Sequence, residues 1–445
     1  MSKIKIPSLA ENTFLRYFNF SALYFTEGLP QGMLYVGFPA WMAMEGKTPI
    51  EIGKFAVATS LPWTFKFVVA PLMDRYTYLP MGRKRPWVLF GHLGLILSIL
   101  TMAFVPDPLK NLNLFMGAAF LVSSFGAIQD AAGDAMAVDV IPAGQQPRAN
   151  GLMQGSRMVG SSLALVLCSW VLNKYGFEAS MLTLCFLIII ITIVPVLLRE
   201  QKGEKIFPFT SGAASVESSK MQMTDWASIL KILYKVFRLK NSILVIIILF
   251  ITMGAYNFFE TLLSIFAVKV TGWTNVEYSQ AFATADLIGG IAGMMAGGFL
   301  IEKFGKKRMV NIYFFLIIGM VLALSYITFL WYNNDALKGF IICYRTLNAF
   351  AKIGVFSIAM QCCSKNISAS QFTIYMTMGA MGSIAGAFFI GIVKENFDWS
   401  TTFILFTIFL GVAWLVLQFI NIEKHVTKIN SIENELVKLK PSILN

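Results

Sequence analysis

Twelve stretches of about 20 apolar residues follow one another along this chain, and they decide what it can fold into. They lie at roughly 17–41, 52–72, 86–105, 112–135, 150–172, 179–199, 241–268, 277–301, 309–331, 337–362, 369–393 and 399–422. About twenty residues of helix cross the hydrocarbon of a bilayer. Lipid offers the backbone no hydrogen bonds, so a spanning segment is either a helix or a strand of a closed barrel. The stretches are continuous rather than alternating, which argues against a barrel. The chain is therefore read as an all-α integral membrane protein with 12 transmembrane helices. Its charged share of 13% agrees, being about half that of a soluble domain.

The longest polar interval, 200–240, divides the spans six and six. This gives an N-terminal six-helix bundle (1–199), a linker (200–240), a C-terminal bundle (241–422) and a tail (423–445). Within the linker, Trp226, Ile229, Leu230, Leu233 and Phe237 share a helical face flanked by Lys231, Lys235, Arg238 and Lys240. That pattern suits a helix lying on an anionic membrane surface. The tail repeats it more weakly with Ile429, Ile432, Leu436 and Leu439. Most of the 36 Lys and Arg fall on the side of the membrane that holds both termini. The bias of basic residues towards the cytoplasm places both termini there. Lys3, Lys5 and Arg16 precede the first span, no small-residue cleavage site follows, and Glu27 interrupts the run. The first span is read as retained rather than as a signal peptide.

The halves repeat each other. Tyr24-Phe25-Thr26-Glu27, later Trp41 and Glu51, is echoed by Asn257-Phe258-Phe259-Glu260, later Trp273 and Glu277. A charged hairpin follows in each half. The first is Asp74-Arg75, an insert, then Gly82-Arg83-Lys84-Arg85. The second runs Glu302, Gly305, Lys306, Lys307 and Arg308. Such a duplicated fold is expected to hold its substrate near the bilayer midplane.

These paired hairpins resemble the loop signature of the major facilitator superfamily, over nearly the whole chain. Within it the chain looks like the muropeptide permease (AmpG) branch and its acetyl-coenzyme A transporter relatives. Gly28-Leu29-Pro30, Phe65-Lys66-Phe67 before Pro71-Leu72-Met73-Asp74-Arg75, Gln129-Asp130 with Asp134, Asp139 and Pro142, and Ala369-Ser370-Gln371-Phe372 carry that likeness. Ala70, Glu302 and Glu27 depart from the pattern. The resemblance implies transport of a solute, driven by protons, with a bulky anionic molecule such as a peptidoglycan fragment as substrate, in a bacterial cytoplasmic (inner) membrane.

Charges at bilayer depth cost about 2.5–3.5 kcal/mol even on the lenient insertion scale, so each must face a partner or water. Glu27, Asp130 and Asp134 are the proton-carrier candidates, with a fixed ion pair as the alternative for Asp130. Counting along the helices puts Lys66, Asp130 and Arg157 at one level. Tyr24, Glu27, Gln31 and Tyr35 form one helical face, repeated by Asn257 and Glu260. On the tenth span Arg345, Asn348 and Lys352 share a face. There the cations either meet a substrate anion or pair internally with Asp286 or Glu260. Gln371 and Tyr375 complete the cavity candidates. The hairpin residues Asp74, Arg75, Gly82, Arg83, Lys84, Arg85, Glu302, Gly305, Lys306 and Arg308 read as a gate.

Cys168, Cys185, Cys343, Cys362 and Cys363 show no metal-ligand spacing, and His92 and His425 are the two histidines. No metal and no cofactor is expected. A phosphate loop would need a strand before it, which is absent, and no nucleophile–base pair stands in a loop. An enzyme and an ATP-driven pump are therefore not expected, nor is a nucleic-acid partner, because the aromatics lie inside apolar runs. The partners expected are a small-molecule substrate, protons and the bilayer, with the chain a monomer. The alternatives are an exporter of the same fold and a membrane sensor or scaffold that does not transport. A sensor should carry a folded soluble domain, and 200–240 is too short for one.

Overall fold

The structure is a computed structural model that describes residues 8–223 and 225–439. Lys3 and Lys5 of the sequence reading lie outside the described residues. Among the described residues every regular element is a helix. The spans are α1 Thr13–Gly32, which runs through a five-residue π turn into α2 Phe38–Met44, then α3 Pro49–Arg75, α4 Arg85–Ala103, α5 Leu112–Val140, α6 Gln146–Tyr175 and α7 Phe177–Leu197. The linker forms α8 Val216–Met221 and α9 Trp226–Phe237. The second set is α10 Lys240–Lys269, α11 Asn275–Ala292 with its π-turn continuation α12 Gly298–Phe304, α13 Lys306–Tyr326, α14 Asn334–Gln361, α15 Ser368–Asn396 and α16 Trp399–Gln418. The tail is α17 Ile422–Leu439.

Several helices outrun the apolar stretches that announce them. Hydropathy ends where the lipid ends, but a helix continues until its end groups find partners. Thr48 and Glu51 close a capping box that starts α3, and Thr274 and Glu277 close the same box on α11. Conversely the ninth span stops at Tyr326, short of the expected 331, because Thr328–Tyr332 tightens into a 3₁₀ turn.

The chain divides into two compact units. One comprises Met1–Ile141, Leu152–Ile229 and Lys365–Thr373; the other comprises Pro142–Gly151, Leu230–Ser364 and Ile374–Asn445. Each half of the sequence therefore lends a short segment to the opposite unit. In the first unit α1 and α6 cross through glycines. A Cβ on Gly28 would lie 2.1 Å from the Arg157 carbonyl oxygen, and one on Gly160 would lie 2.4 Å from that of Phe25. In the second unit α10 and α15 cross in the same way, with a Cβ on Gly386 falling 2.0 Å from the Gly254 carbonyl oxygen. Small residues let membrane helices approach closely where no hydrophobic force drives them together. Spans one and five thus repeat as spans seven and eleven.

Aromatic packing fills each unit. Phe38, Phe55 and Phe115 meet in the first, with Phe55 stacked on Phe115 at 4.9 Å. Phe259 meets Tyr344 and Phe406 in the second at 4.7 and 4.4 Å. The linker folds onto the first hairpin. Along α9 the buried positions are Ile229, Ile232 and Val236, while Leu230 is exposed.

Candidate functional site

The intramembrane charges of the first unit come from four spans. Lys66 on α3 pairs with Asp130 on α5, Nζ to Oδ2, at 2.5 Å. Arg157 on α6 donates to Glu27 on α1 at 3.2 Å, and Gln31 donates to the same Glu27 oxygen at 2.8 Å. Arg157 also donates to Gln154. Asp134, one turn beyond Asp130, is met by the Tyr24 hydroxyl. Gln129 fixes the α5 level by donating to the Leu23 carbonyl at 3.2 Å. Counting along the helices put Lys66, Asp130 and Arg157 at one level; the pairing gives Asp130 to Lys66 and Arg157 to Glu27. Tyr35 continues the stripe into the π turn and is partly exposed.

The second unit holds an ion network of its own, with both cations on α14. Arg345 on α14 is held by Glu260 of α10 and Asp286 of α11, and its guanidinium lies 4.2 Å above the Phe282 ring. Asn348 donates to Glu260 at 3.1 Å, and Lys352 stands 3.9 Å from the same oxygen. Arg345 is thus engaged internally, the arrangement weighed against an anion grip in the sequence. Asn257 accepts a hydrogen bond from Thr261 on its own helix. Gln371 and Tyr375 are both buried but fall in different units, Tyr375 meeting the Phe237 ring at 5.7 Å in the second.

The first hairpin closes around Asp74. Its carboxylate accepts from Lys84, from Arg83 at 3.5 Å, and from the Ser370 backbone and hydroxyl at 2.8 and 2.7 Å. It therefore caps the start of α15 while pairing across its own loop. Arg83 also reaches Asp139 at 2.9 Å and the carbonyls of Lys365 and Asn366. Burial lowers the pKa of Lys84, and the Arg83 charge acts in the same direction.

Two hairpin cations face elsewhere. Arg75 lies 4.9 Å over the Trp226 ring, and Arg85 donates to the Lys205 and Ile206 carbonyls at 3.0 Å. The turn at Gly82 has φ +108, open to glycine alone at low strain. In the second unit Glu302 pairs with Arg148 at 3.1 Å. Gly305 makes the corresponding positive-φ turn, and Lys306 donates to Gln146 and Gln361 at 3.0 and 2.6 Å. Arg308 is exposed.

Sequence reasoning passed over Glu200 and Glu204. Glu200 accepts the backbone N–H groups of Arg83, Lys84 and Arg85, at 3.0 and 2.7 Å for the first two, and so caps α4. Glu204 accepts from Gln201 N–H at 2.9 Å and Ser218 hydroxyl at 3.1 Å. Burial and the Glu200 charge push its carboxyl up to about 8. Both lie in a non-helical stretch of a polar linker, so no sequence signal marked their burial.

Against known proteins, the family model described as Major Facilitator Superfamily matches residues 20–387. The Anhydromuropeptide permease of Escherichia coli is 26% identical over 395 residues, covering 88% of this chain and 77% of that one. The Putative transporter AmpG 1 of Rickettsia conorii is 22% identical, covering 85% of this chain and 91% of the relative. Among solved structures, the E. coli Fucose:proton symporter, FucP, superposes with a TM-score of 0.69 at 13% identity, over 91% of this chain and 98% of that one. The human organic anion transporter MFSD10 (TETRAN) gives 0.63 at 12% identity, over 93% and 100%. The two solved structures speak to the fold alone.

Proposed function

Because this chain belongs to the Major Facilitator Superfamily, and is thus a multi-span membrane transporter rather than an enzyme, we propose that it imports a bulky anionic solute of the peptidoglycan-fragment class, coupled to protons, by alternating access. Both termini are assigned to the cytoplasm by the distribution of basic residues, and the membrane to the bacterial inner membrane. The substrate class rests on the likeness to the Anhydromuropeptide permease.

One observation carries the proton coupling. The network of the first unit holds three buried carboxylates, Glu27, Asp130 and Asp134, against two cations, the buried Lys66 and the half-buried Arg157. Each cation has its own acid, and Asp134 has a tyrosine hydroxyl. An unbalanced charge in low dielectric is expensive, so the group takes a proton instead. We assign Asp134 as the carrier. Its proton leaves when water or a cation reaches it and returns when the site dries. Asp130 and Glu27 hold the flanking cations in register.

The Asp74 hairpin, which ties α3 to the start of α15, serves as the latch of the cytoplasmic gate. The experiment is uptake of labelled anhydromuropeptide by proteoliposomes with and without an imposed inward proton gradient. Accumulation above equilibrium only with the gradient supports the reading. Equal uptake under both conditions removes the coupling, and no uptake removes the substrate class.

A further inference from the structure

The ion network of the second unit is electrically even. Glu260 and Asp286 balance Arg345 and Lys352. Its members are not equally placed. Arg345 is 9% exposed, fixed by both acids and the Phe282 ring. Glu260, Asp286 and Lys352 are 24, 32 and 27% exposed, and the Lys352–Glu260 separation of 3.9 Å is the widest in the network. So the guanidinium forms the back of the cluster, and the carboxylates and the Lys352 ammonium form its open side.

Polar atoms without partners lie against this cluster. Asn348 is buried, with 1% exposure, and spends its amide N–H on Glu260, yet its Oδ1 has no partner. The hydroxyls of Tyr256 and Tyr344 are buried and unpartnered as well. A buried polar atom left unmatched costs about 1–3 kcal/mol, which a ligand supplying the match recovers. An orphan acceptor beside two carboxylates calls for a donor with several N–H bonds.

We propose that this cluster binds a zwitterionic group, a primary ammonium beside a carboxylate, of the kind carried at the free end of an amino acid or peptide. The ammonium displaces Lys352 from Glu260 and donates to Glu260, to Asp286 and to the Asn348 amide oxygen. Lys352, released, meets the carboxylate. Each exchange swaps one ion pair for another, so the network stays neutral throughout. A ligand bearing only one sign would leave a net charge at low dielectric, which this geometry disfavours. Arg345 touches no ligand here; it is a positioning residue that orients the two acids. The proposal rests on the transport reading only for the kind of solute that reaches these helices.

The test uses the whole chain in detergent, with free diaminopimelate as probe beside its N,N′-diacetylated and its bis-amidated derivatives, in which both ends are blocked. Binding is read by titration calorimetry. The free compound is expected to bind at least tenfold more tightly than either derivative, the loss expected for one charge-assisted hydrogen bond. Asn348→Ala should weaken the free compound and leave the N-acetylated one unchanged. Lys352→Met should weaken the free compound and leave the amide unchanged. The variants and the derivatives report separately, so misfolding of one variant does not end the test. Equal affinity for all three compounds overturns the proposal, as does no binding of the free compound or a site filled by sodium ion in its place. Proteoliposome uptake of anhydromuropeptide with equal affinities here would sink this site and spare the transport reading. Selective binding without such uptake would do the reverse.

Discussion

Asp130→Asn and Asp134→Asn are the same chemical change one helical turn apart, and the structure gives them opposite consequences. The Lys66–Asp130 pair is 10 and 5% exposed at 2.5 Å. Removing the carboxylate leaves a buried ammonium without its counter-charge, which costs about 3–5 kcal/mol. Asn at 134 keeps an oxygen for the Tyr24 hydroxyl and is neutral like the protonated carboxyl it replaces. Its effect on stability should stay within about 1 kcal/mol, the scale of one retained neutral hydrogen bond.

Transport should follow the other order. Asp134→Asn should abolish accumulation driven by a proton gradient while leaving exchange of substrate across the membrane intact. Thermal unfolding in detergent measures the first effect, and paired uphill and counterflow assays measure the second. The double change Lys66→Met, Asp130→Asn should recover stability relative to either single change, because a buried pair is replaced by neutral groups. The reasoning fails if Asp134→Asn destabilises as much as Asp130→Asn, or if it still accumulates substrate.

Three further perturbations follow from the same structure. The Glu204 carboxyl, faced by Glu200, Gln201, Ser218 and Ser215, is pushed up to about 8 from an ordinary 4.5. The folded state therefore holds a proton that the unfolded chain releases, so stability falls as pH rises from about 4.5 to 8. Glu204→Gln should flatten that slope in a pH series of melting curves; an unchanged slope refutes it. Gly386→Ala, whose Cβ would meet the Gly254 carbonyl at 2.0 Å, should destabilise by about 1–3 kcal/mol. Gly117→Ala, which meets nothing within 4 Å, should not, and equal effects would refute the close crossing. Asp74→Asn should slow turnover more than it weakens substrate binding, because its partners are Lys84, Arg83 and Ser370 rather than ligand. Kinetics on proteoliposomes would show the opposite pattern if Asp74 served the binding site.

How far the sequence reached depends on which force sets each feature. Spans are set by the solvent, so twenty apolar residues announce a helix whatever packs on it. Span edges are set by caps and turns, and there hydropathy missed the 3₁₀ turn at Thr328–Tyr332. Charged residues inside spans were legible as a group, since any charge in lipid demands a partner. Which partner depends on helix rotation and neighbour order, and neither is written in hydropathy. So Arg157 and Lys66 were both open to Asp130 in the sequence, and only Lys66 reaches it. Glu200 and Glu204 were invisible for the opposite reason. They lie in a polar interval, where an acid needs no excuse, and their burial comes from a linker fold that no periodicity marks.

The two networks together sharpen what the duplication preserved. Lys66 on the second span meets Asp130 on the fourth. In the other half Asp286 on the eighth span meets Arg345 on the tenth. Both pairs join the second and fourth spans of their half, with the cation on opposite helices and at different heights along them. What has no counterpart is the surplus. Four residues beyond Asp130 stands Asp134; four beyond Arg345 stands Ala349. The first network is left odd, and the second even. An odd network must take up or release a proton when its surroundings change. An even one can trade ion pairs with a zwitterion and remain neutral. Under the proposed coupling and the proposed zwitterion site, the two units divide the work, one for the proton and one for the substrate's charged end. Placing an aspartate at 349 should spoil the division. Ala349→Asp is expected to make substrate binding in the second unit depend on pH, and a binding constant that stays flat from pH 5 to 8 would show that the odd charge is not what couples a network to protons.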